Sequence, residues 1–208
     1  MNNFKRVLFI SLAVLFIVFI GTPYLLKIIK NQNPALMNSA EQITLKRGDY
    51  IVKKDIEPGF YDITALTDNV SFMPFKLSKG DQILGLQLDK NTHVIIEGKG
   101  KVKLSPAKFE TLKKPENEYV IDHSGNYLIG RQIPEGQYKI SFNITSNKKI
   151  KEMPFIQLLP GYGKDPIKSL TFEKKSTQDI QLQTGNVLEV HKSMMEEYDH
   201  VVITLINQ

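Results

Sequence analysis

The 208-residue sequence has no cysteine, no tryptophan and only three arginines, Arg6, Arg47 and Arg131. Without cysteine there is no disulfide, no thiolate-held zinc and no thiol nucleophile. A lipid-modified N-terminal cysteine is excluded as well. Without tryptophan, the strongest sugar-stacking side chain is missing. Arginine is the preferred residue for forked contacts to phosphate, so its scarcity weighs against a nucleic-acid surface. The net charge of +5 points the other way only at first. Lys5, Arg6, Lys27 and Lys30 flank one apolar run, and setting them aside leaves a body with a net charge of +1. A nucleic-acid binder concentrates its basic charge in a stripe. Here the lysines are scattered, and no nucleic-acid partner is expected. A cysteine-free chain rich in Lys, Ile and Asn fits a Gram-positive envelope product.

Charge is also absent, locally, from residues 7–26. Their centre runs Val7-Leu8-Phe9-Ile10-Ser11-Leu12-Ala13-Val14-Leu15-Phe16-Ile17-Val18-Phe19-Ile20. As a helix rising about 1.5 Å per residue, such a run spans roughly 30 Å, the thickness of a bilayer core. It has no polar face, which excludes an amphipathic surface helix. Lys5 and Arg6 would suit a cleaved signal, but the run does not end in a small-x-small cleavage site. Gly21-Thr22-Pro23-Tyr24 leads into further apolar residues instead. The expectation is a retained anchor over residues 1–30, with the membrane contacted through residues 7–26. The polypeptide is then single-pass in the cell membrane, with its C-terminal domains outside the cytoplasm, an orientation that the positive-inside rule slightly favours. Residues 31–45 read as a stalk.

The remainder is organised by an internal repeat. Gly48, Tyr50, Ile56, Gly59, Tyr61 and Ile63 recur 77 positions later as Gly125, Tyr127, Ile133, Gly136, Tyr138 and Ile140. Further on, Leu86-x-Leu88 and Val94-x-Ile96 correspond to Ile180-x-Leu182 and Leu188-x-Val190. Apolar residues alternate at a period of two around each tyrosine, the mark of a half-buried strand. Glu57-Pro58-Gly59 and Pro134-Glu135-Gly136 are turn sequences, so each unit is expected to open with a hairpin. Ile56 and Ile133 are expected to tuck into the core from these turns. Short alternating runs continue to the C-terminus. The expected fold is all-β, two tandem small β-sandwich-like modules over residues 46–114 and 115–208, preceded by one transmembrane helix. The one helical candidate outside the anchor is residues 107–114, stopped by Pro115.

With Tyr127, Ile133-Pro134-Glu135-Gly136-Gln137-Tyr138 and Leu182-Gln183-Thr184-Gly185, the unit resembles a small β-module found, often in tandem, in exported proteins of Gram-positive bacteria. The first copy departs from that pattern, with Glu57-Pro58 in the turn and Lys90-Asn91 in place of the closing Thr-Gly. The resemblance covers most of residues 46–206. It implies location and fold but no reaction.

Motifs that carry chemistry are weak. The pairs Tyr50/Tyr61 and Tyr127/Tyr138 suit either sugar stacking or cross-strand packing, and packing is the expectation. His93, His123, His191 and His200 have no metal-ligand spacing. His191 and His200 flank Glu196, Glu197 and Asp199 in an expected solvated hairpin loop. Gly161-Tyr162-Gly163-Lys164 lacks the full phosphate-loop pattern and reads as a surface loop. Ser105…Lys108 and Ser146…Lys149 match Ser-x-x-Lys at the frequency of chance. Asn69-Val70-Ser71 and Asn143-Ile144-Thr145 are glycosylation sequons, relevant only to a eukaryotic secretory route. No catalytic residue, metal ligand or cofactor site is expected. The expected role is non-enzymatic binding of an envelope protein or a wall polymer. Carbohydrate or peptidoglycan binding, or service to an envelope enzyme, stands as the alternative.

Overall fold

The computed structural model describes residues 38–113, 118–144, 154–172, 177–192 and 201–208. The expected membrane segment at residues 7–26 lies outside them. The described residues are all-β, arranged in several sheets, with no helix among them. Eight strands form the first unit: β1 (Ile43–Leu45), β2 (Gly48–Ile51), β3 (Gly59–Ala65), β4 (Val70–Phe72), β5 (Phe75–Leu77), β6 (Gln82–Leu88), β7 (His93–Gly98) and β8 (Val102–Pro106). Eight more form the second: β9 (Glu118–Ile121), β10 (Ser124–Leu128), β11 (Gly136–Ile144), β12 (Phe155–Leu159), β13 (Lys168–Thr171), β14 (Gln178–Leu182), β15 (Val187–His191) and β16 (Val201–Asn207).

The repeat extends to the pairing of every strand. The first unit contains the orders β1-β8-β3-β6 and β2-β7-β4-β5, and the second contains β9-β16-β11-β14 and β10-β15-β12-β13. Register matches residue by residue. Tyr61 lies opposite Leu86, and Tyr138 opposite Ile180. Tyr50 lies opposite Val94, and Tyr127 opposite Leu188. In each unit the period-two alternation turns one face of both four-strand sets inward. Tyr61, Ile63 and Leu104 meet Phe72, Val94 and Ile96 in the first core. Tyr138, Ile140 and Leu205 meet Tyr127, Leu188 and Val190 in the second. Each fully buried aliphatic side chain contributes about 1.5–3 kcal/mol, enough to fix which face points inward.

Three expectations are corrected. First, the Pro/Gly turns do not make hairpins. β2 and β3 belong to different sheets, as do β10 and β11, so Tyr50/Tyr61 and Tyr127/Tyr138 are not cross-strand pairs. The turn lifts the chain from one layer to the other because its apolar residues are needed between them. Val52 and Ile56 form a parallel bridge, as do Ile129 and Ile133, and all four are buried. Second, residues 38–45 of the expected stalk belong to the first unit. β1 pairs with β8, and the Asn38 amide donates to Phe60 O at 2.8 Å and accepts from the Phe60 N–H at 2.9 Å. Third, residues 107–113 are irregular rather than helical. Ala107 and Phe109 are buried while Lys108 and Glu110 between and after them are exposed. Phe109 has φ +51°, which no right-handed helix accommodates.

The two units are also not separate beads. β6 and β10 pair in parallel, Ser124 opposite Ile83 and Gly125 opposite Leu84. This contact fuses one layer of each unit into a single eight-stranded sheet, β1-β8-β3-β6-β10-β15-β12-β13.

Candidate functional site

The signature tyrosines share one geometry. Each hydroxyl donates to the carbonyl four residues earlier: Tyr50 to Lys46 (3.2 Å), Tyr61 to Glu57 (2.6 Å), Tyr127 to His123 (2.7 Å) and Tyr138 to Pro134 (3.0 Å). To reach that carbonyl the ring folds back along its own strand, over the residue two positions before it. A Cβ at Gly48 would lie 3.0 Å from the Tyr50 ring, and one at Gly136 would lie 3.3 Å from the Tyr138 ring. This accounts physically for the glycines of Gly48-x-Tyr50 and Gly136-x-Tyr138, whereas a Cβ at Gly59 would meet Asn38 and Ala40 first and one at Gly125 would meet Leu84. Tyr61, Tyr127 and Tyr138 are fully buried and Tyr50 is half-buried. Burial raises the phenol pKa at Tyr61, Tyr127 and Tyr138. These rings fill the core and tie down turns, and the three buried ones offer no sugar-stacking face.

Left-handed turn positions explain where the first copy departs from the pattern. Lys53, at φ +79°, donates its N–H to Ile56 O, as Gly130, at φ +85°, does to Ile133 O. Asn91, at φ +68°, occupies the place of Gly185, at φ +91°. Asparagine tolerates this region better than most residues, so Lys90-Asn91 preserves the turn that Thr184-Gly185 makes. In the second unit Thr184 also clasps Glu135. Its hydroxyl donates at 2.7 Å and its N–H at 3.3 Å, which holds the carboxyl below its usual pKa.

The junction between the units is the most specialised region. Gly85 (φ +63°) and Gly125 (φ +145°) both lie at the parallel pair, Gly125 opposite Leu84 and Gly85 against Asn126. A Cβ at Gly125 would lie 2.2 Å from Leu84 O, and one at Gly85 would lie 2.4 Å from Asn126 O. The register of β3 against β6 shifts between Tyr61 and Ile63, a bulge that places Gly85 at this contact. Beside it a third core gathers Phe60, Ala107 and Phe109 with Leu128 and Val187, and Tyr162 packs against it. Phe60 meets Tyr162 edge-on at 4.7 Å and Phe109 at 5.7 Å between centroids. Asp62 accepts from Gly85 N–H (2.9 Å) and Lys108 N–H (3.2 Å). Burial still lifts its pKa above the usual carboxylate value, against the opposing pull of those two bonds and the Lys108 charge. Tyr162 is raised too, chiefly by burial and then by Asp62. A second aromatic bridge lies farther along. Phe75 of the first unit stacks on His191 of the second at 5.6 Å, and Phe155 stacks at 6.2 Å.

A charged cleft of about 620 Å³ opens between the units. Asp68, Lys79 and Asp81 line it from one side, and Asp122, His123 and Lys192 from the other. Its walls are held by local bonds. Asp81 accepts from Ser78 N–H at 2.7 Å, and Asp68 from Lys79 N–H at 2.9 Å. Lys192 is buried, donates its backbone N–H to Ser124 Oγ at 3.0 Å and gives its ammonium to Asp122 O. Mixed charges of this kind suit a polar segment of another protein better than an apolar small molecule. Among the described residues no group of His, Asp and Glu is placed to hold a metal ion.

The remaining sequence candidates scatter. His93 sits on Asp49 at 3.1 Å on the exposed face of β2 and β7. His123 lies 3.7 Å from Asp122. His200, the acidic loop and Ser146…Lys149 fall outside the described residues. Ser105 lies in β8 opposite Asp62. Asn69 occupies a left-handed turn before β4, and Asn143 lies in β11. Gly161-Tyr162-Gly163-Lys164 is a loop, but Tyr162 points inward to the junction rather than to solvent. The junction leaves little trace in the sequence. Its one available sign is Gly85, a lone glycine inside a strand pattern, which marks a bulge or a close backbone approach. No family model, curated protein or solved structure matches the chain.

Proposed function

We propose that the chain is a membrane-anchored, extracytoplasmic interaction protein of the cell envelope, non-enzymatic, with two sandwich-like units presenting one fixed surface to another protein. The observation that carries this reading is the use made of the repeat signature. All four tyrosine hydroxyls are committed to the carbonyl four residues back. The signature is therefore scaffold, and what the fold offers outward is its charged junction cleft and its sheet edges. The uncharged run at residues 7–26 supports the anchor. Burial of three of the four tyrosines favours a protein partner over a wall polymer.

The test is cross-linking of the full chain in intact cells, followed by capture from solubilised membranes, alongside sedimentation with purified cell wall. A defined protein partner that is lost on charge reversal at Lys79 and Asp122 supports the proposal. Empty capture together with no wall binding sinks it.

A further inference from the structure

The internal junction doubles as a template for an edge that no described strand occupies. In the second unit, β10 receives β6 on its outer side, with Ser124 and Gly125 in register with Ile83 and Leu84. Its counterpart in the first unit is β2, which stands at the edge of its sheet. Gly48 holds the position of Gly125, and Tyr50 that of Tyr127. Val52 N–H bonds Thr92 O on the β7 side. By the alternation of an antiparallel ladder, Tyr50 and Gly48 also face β7, while the main chain of Asp49 faces outward. Ile51 N–H, likewise outward, is taken by Asp55 Oδ2 at 2.8 Å, as Leu128 N–H is by Gln132 Oε1 at 2.9 Å. Among the described residues the apolar surface beside this edge is only partly covered as well. Leu128 is fully buried by the junction, whereas Ile51, at its position in the first unit, is only half-buried, and neighbouring Ile95 is 46% exposed.

The opposite end of the repeat is closed. β14 is the counterpart of β6 and also stands at an edge. At the position of Gly85 it carries Asp179, so the close approach made by the glycine is lost. Lys168 Nζ donates to Asp179 O at 2.7 Å, and Gln208 Nε2 to its carboxylate at 3.0 Å. A charged cap on an edge carbonyl is a standard defence against strand addition. β14 of a second copy therefore does not reproduce the junction on β2.

We infer that the outer edge of β2 is a docking site for a parallel β-strand of a different protein, one that places an apolar residue opposite Gly48 and a glycine next after it, as Leu84-Gly85 does opposite Gly125. Main-chain pairing supplies the affinity, and the close approach of the incoming glycine to the main chain of Asp49, as Gly85 approaches Asn126 O, supplies the selectivity. This deepens the reading of the chain as an interaction protein and rests on it. A partner captured through the cleft instead would leave that reading intact while the edge assignment fails.

The test uses the full chain and a fluorescent synthetic peptide copying residues 80–90. Saturable binding by anisotropy is expected, with slowed amide exchange at Asp49. A peptide with valine at the position of Gly85, and separately the variant Asp49→Pro, should each weaken binding roughly tenfold, about the value of one main-chain hydrogen bond. Tyr50 amide protection reports whether Asp49→Pro keeps its ladder to β7, and the valine peptide serves as the test if it does not. Three results would each overturn the assignment: no binding, protection at residues 124–126 instead of 47–49, or equal binding of the valine peptide. Self-association of the chain alone that is abolished by Asp49→Pro would replace the foreign strand with a second copy, and so overturn the choice of occupant.

Discussion

At the residue scale, the four tyrosines do their work through one bond each. Tyr127→Phe removes the bond to His123 O and leaves that carbonyl without the hydroxyl. A loss of about 1 kcal/mol is expected, read from urea denaturation. Tyr50→Phe should lose less, because its bond is longer and solvent-exposed. The left-handed positions give a prediction of opposite sign in the two units. Lys53→Gly relieves a side chain held at φ +79°, and a gain of up to about 1 kcal/mol is expected. Gly130→Lys should cost about 2 kcal/mol or more, since a Cβ there lies 2.8 Å from Thr184 and φ is +85°. Thermal denaturation of the two variants checks the contrast. Asp62 makes the third prediction. Its pKa is raised in the folded protein, so the fold binds its proton more tightly than the unfolded chain does. Its contribution to stability is full below the ordinary carboxylate value and is lost as pH rises through the raised one. Carboxyl-carbon NMR should show Asp62 titrating above the ordinary carboxylate value. Asp62→Asn should flatten that part of the stability profile.

At the scale of elements, much was legible and one class of fact was not. The strands follow from period-two alternation. The equivalences of β6 with β14 and β7 with β15 follow from Leu86-x-Leu88 and Val94-x-Ile96 and their counterparts. The sheet to which each strand belongs does not follow. A Pro/Gly turn closes a hairpin or crosses between layers with equal ease, and what decides is whether Ile56 and Ile133 are needed between the layers. Residues 107–113 mislead for a related reason. Alanine, lysine, glutamate and leucine suit a helix in isolation, but Phe109 gains more by filling the junction. The β6–β10 pairing is nearly as hidden, because it joins strands about 40 residues apart, and Gly85, the lone glycine in a strand pattern, marks a close approach without naming its partner. The pairing's dependence on its glycines is testable. Gly125→Val should abolish slow amide exchange in Leu84 and Asn126 while leaving the β11–β16 ladder protected, as hydrogen–deuterium exchange would resolve.

At the scale of the molecule, the shared sheet and the third core make the two units unfold together. Calorimetry should show one transition. Phe109→Ala deletes a buried ring from the junction, with an expected cost of about 3–5 kcal/mol. If that energy couples the units, the variant separates into two transitions, whereas a purely local role would lower a single one.

If the chain serves the proposed interaction role, the parallel contact between β6 and β10 sets the terms on which a bivalent partner is met. Two units on a flexible tether meet a bivalent partner at an effective concentration that depends on tether length and is diluted by every orientation the tether allows. Two units sharing one sheet have no such freedom. A partner that touches both halves finds the second contact already at its final distance and angle, so ordering the receptor costs it nothing. A partner spaced for any other geometry gains only one contact. Selectivity for spacing thus comes from two glycines that touch no ligand.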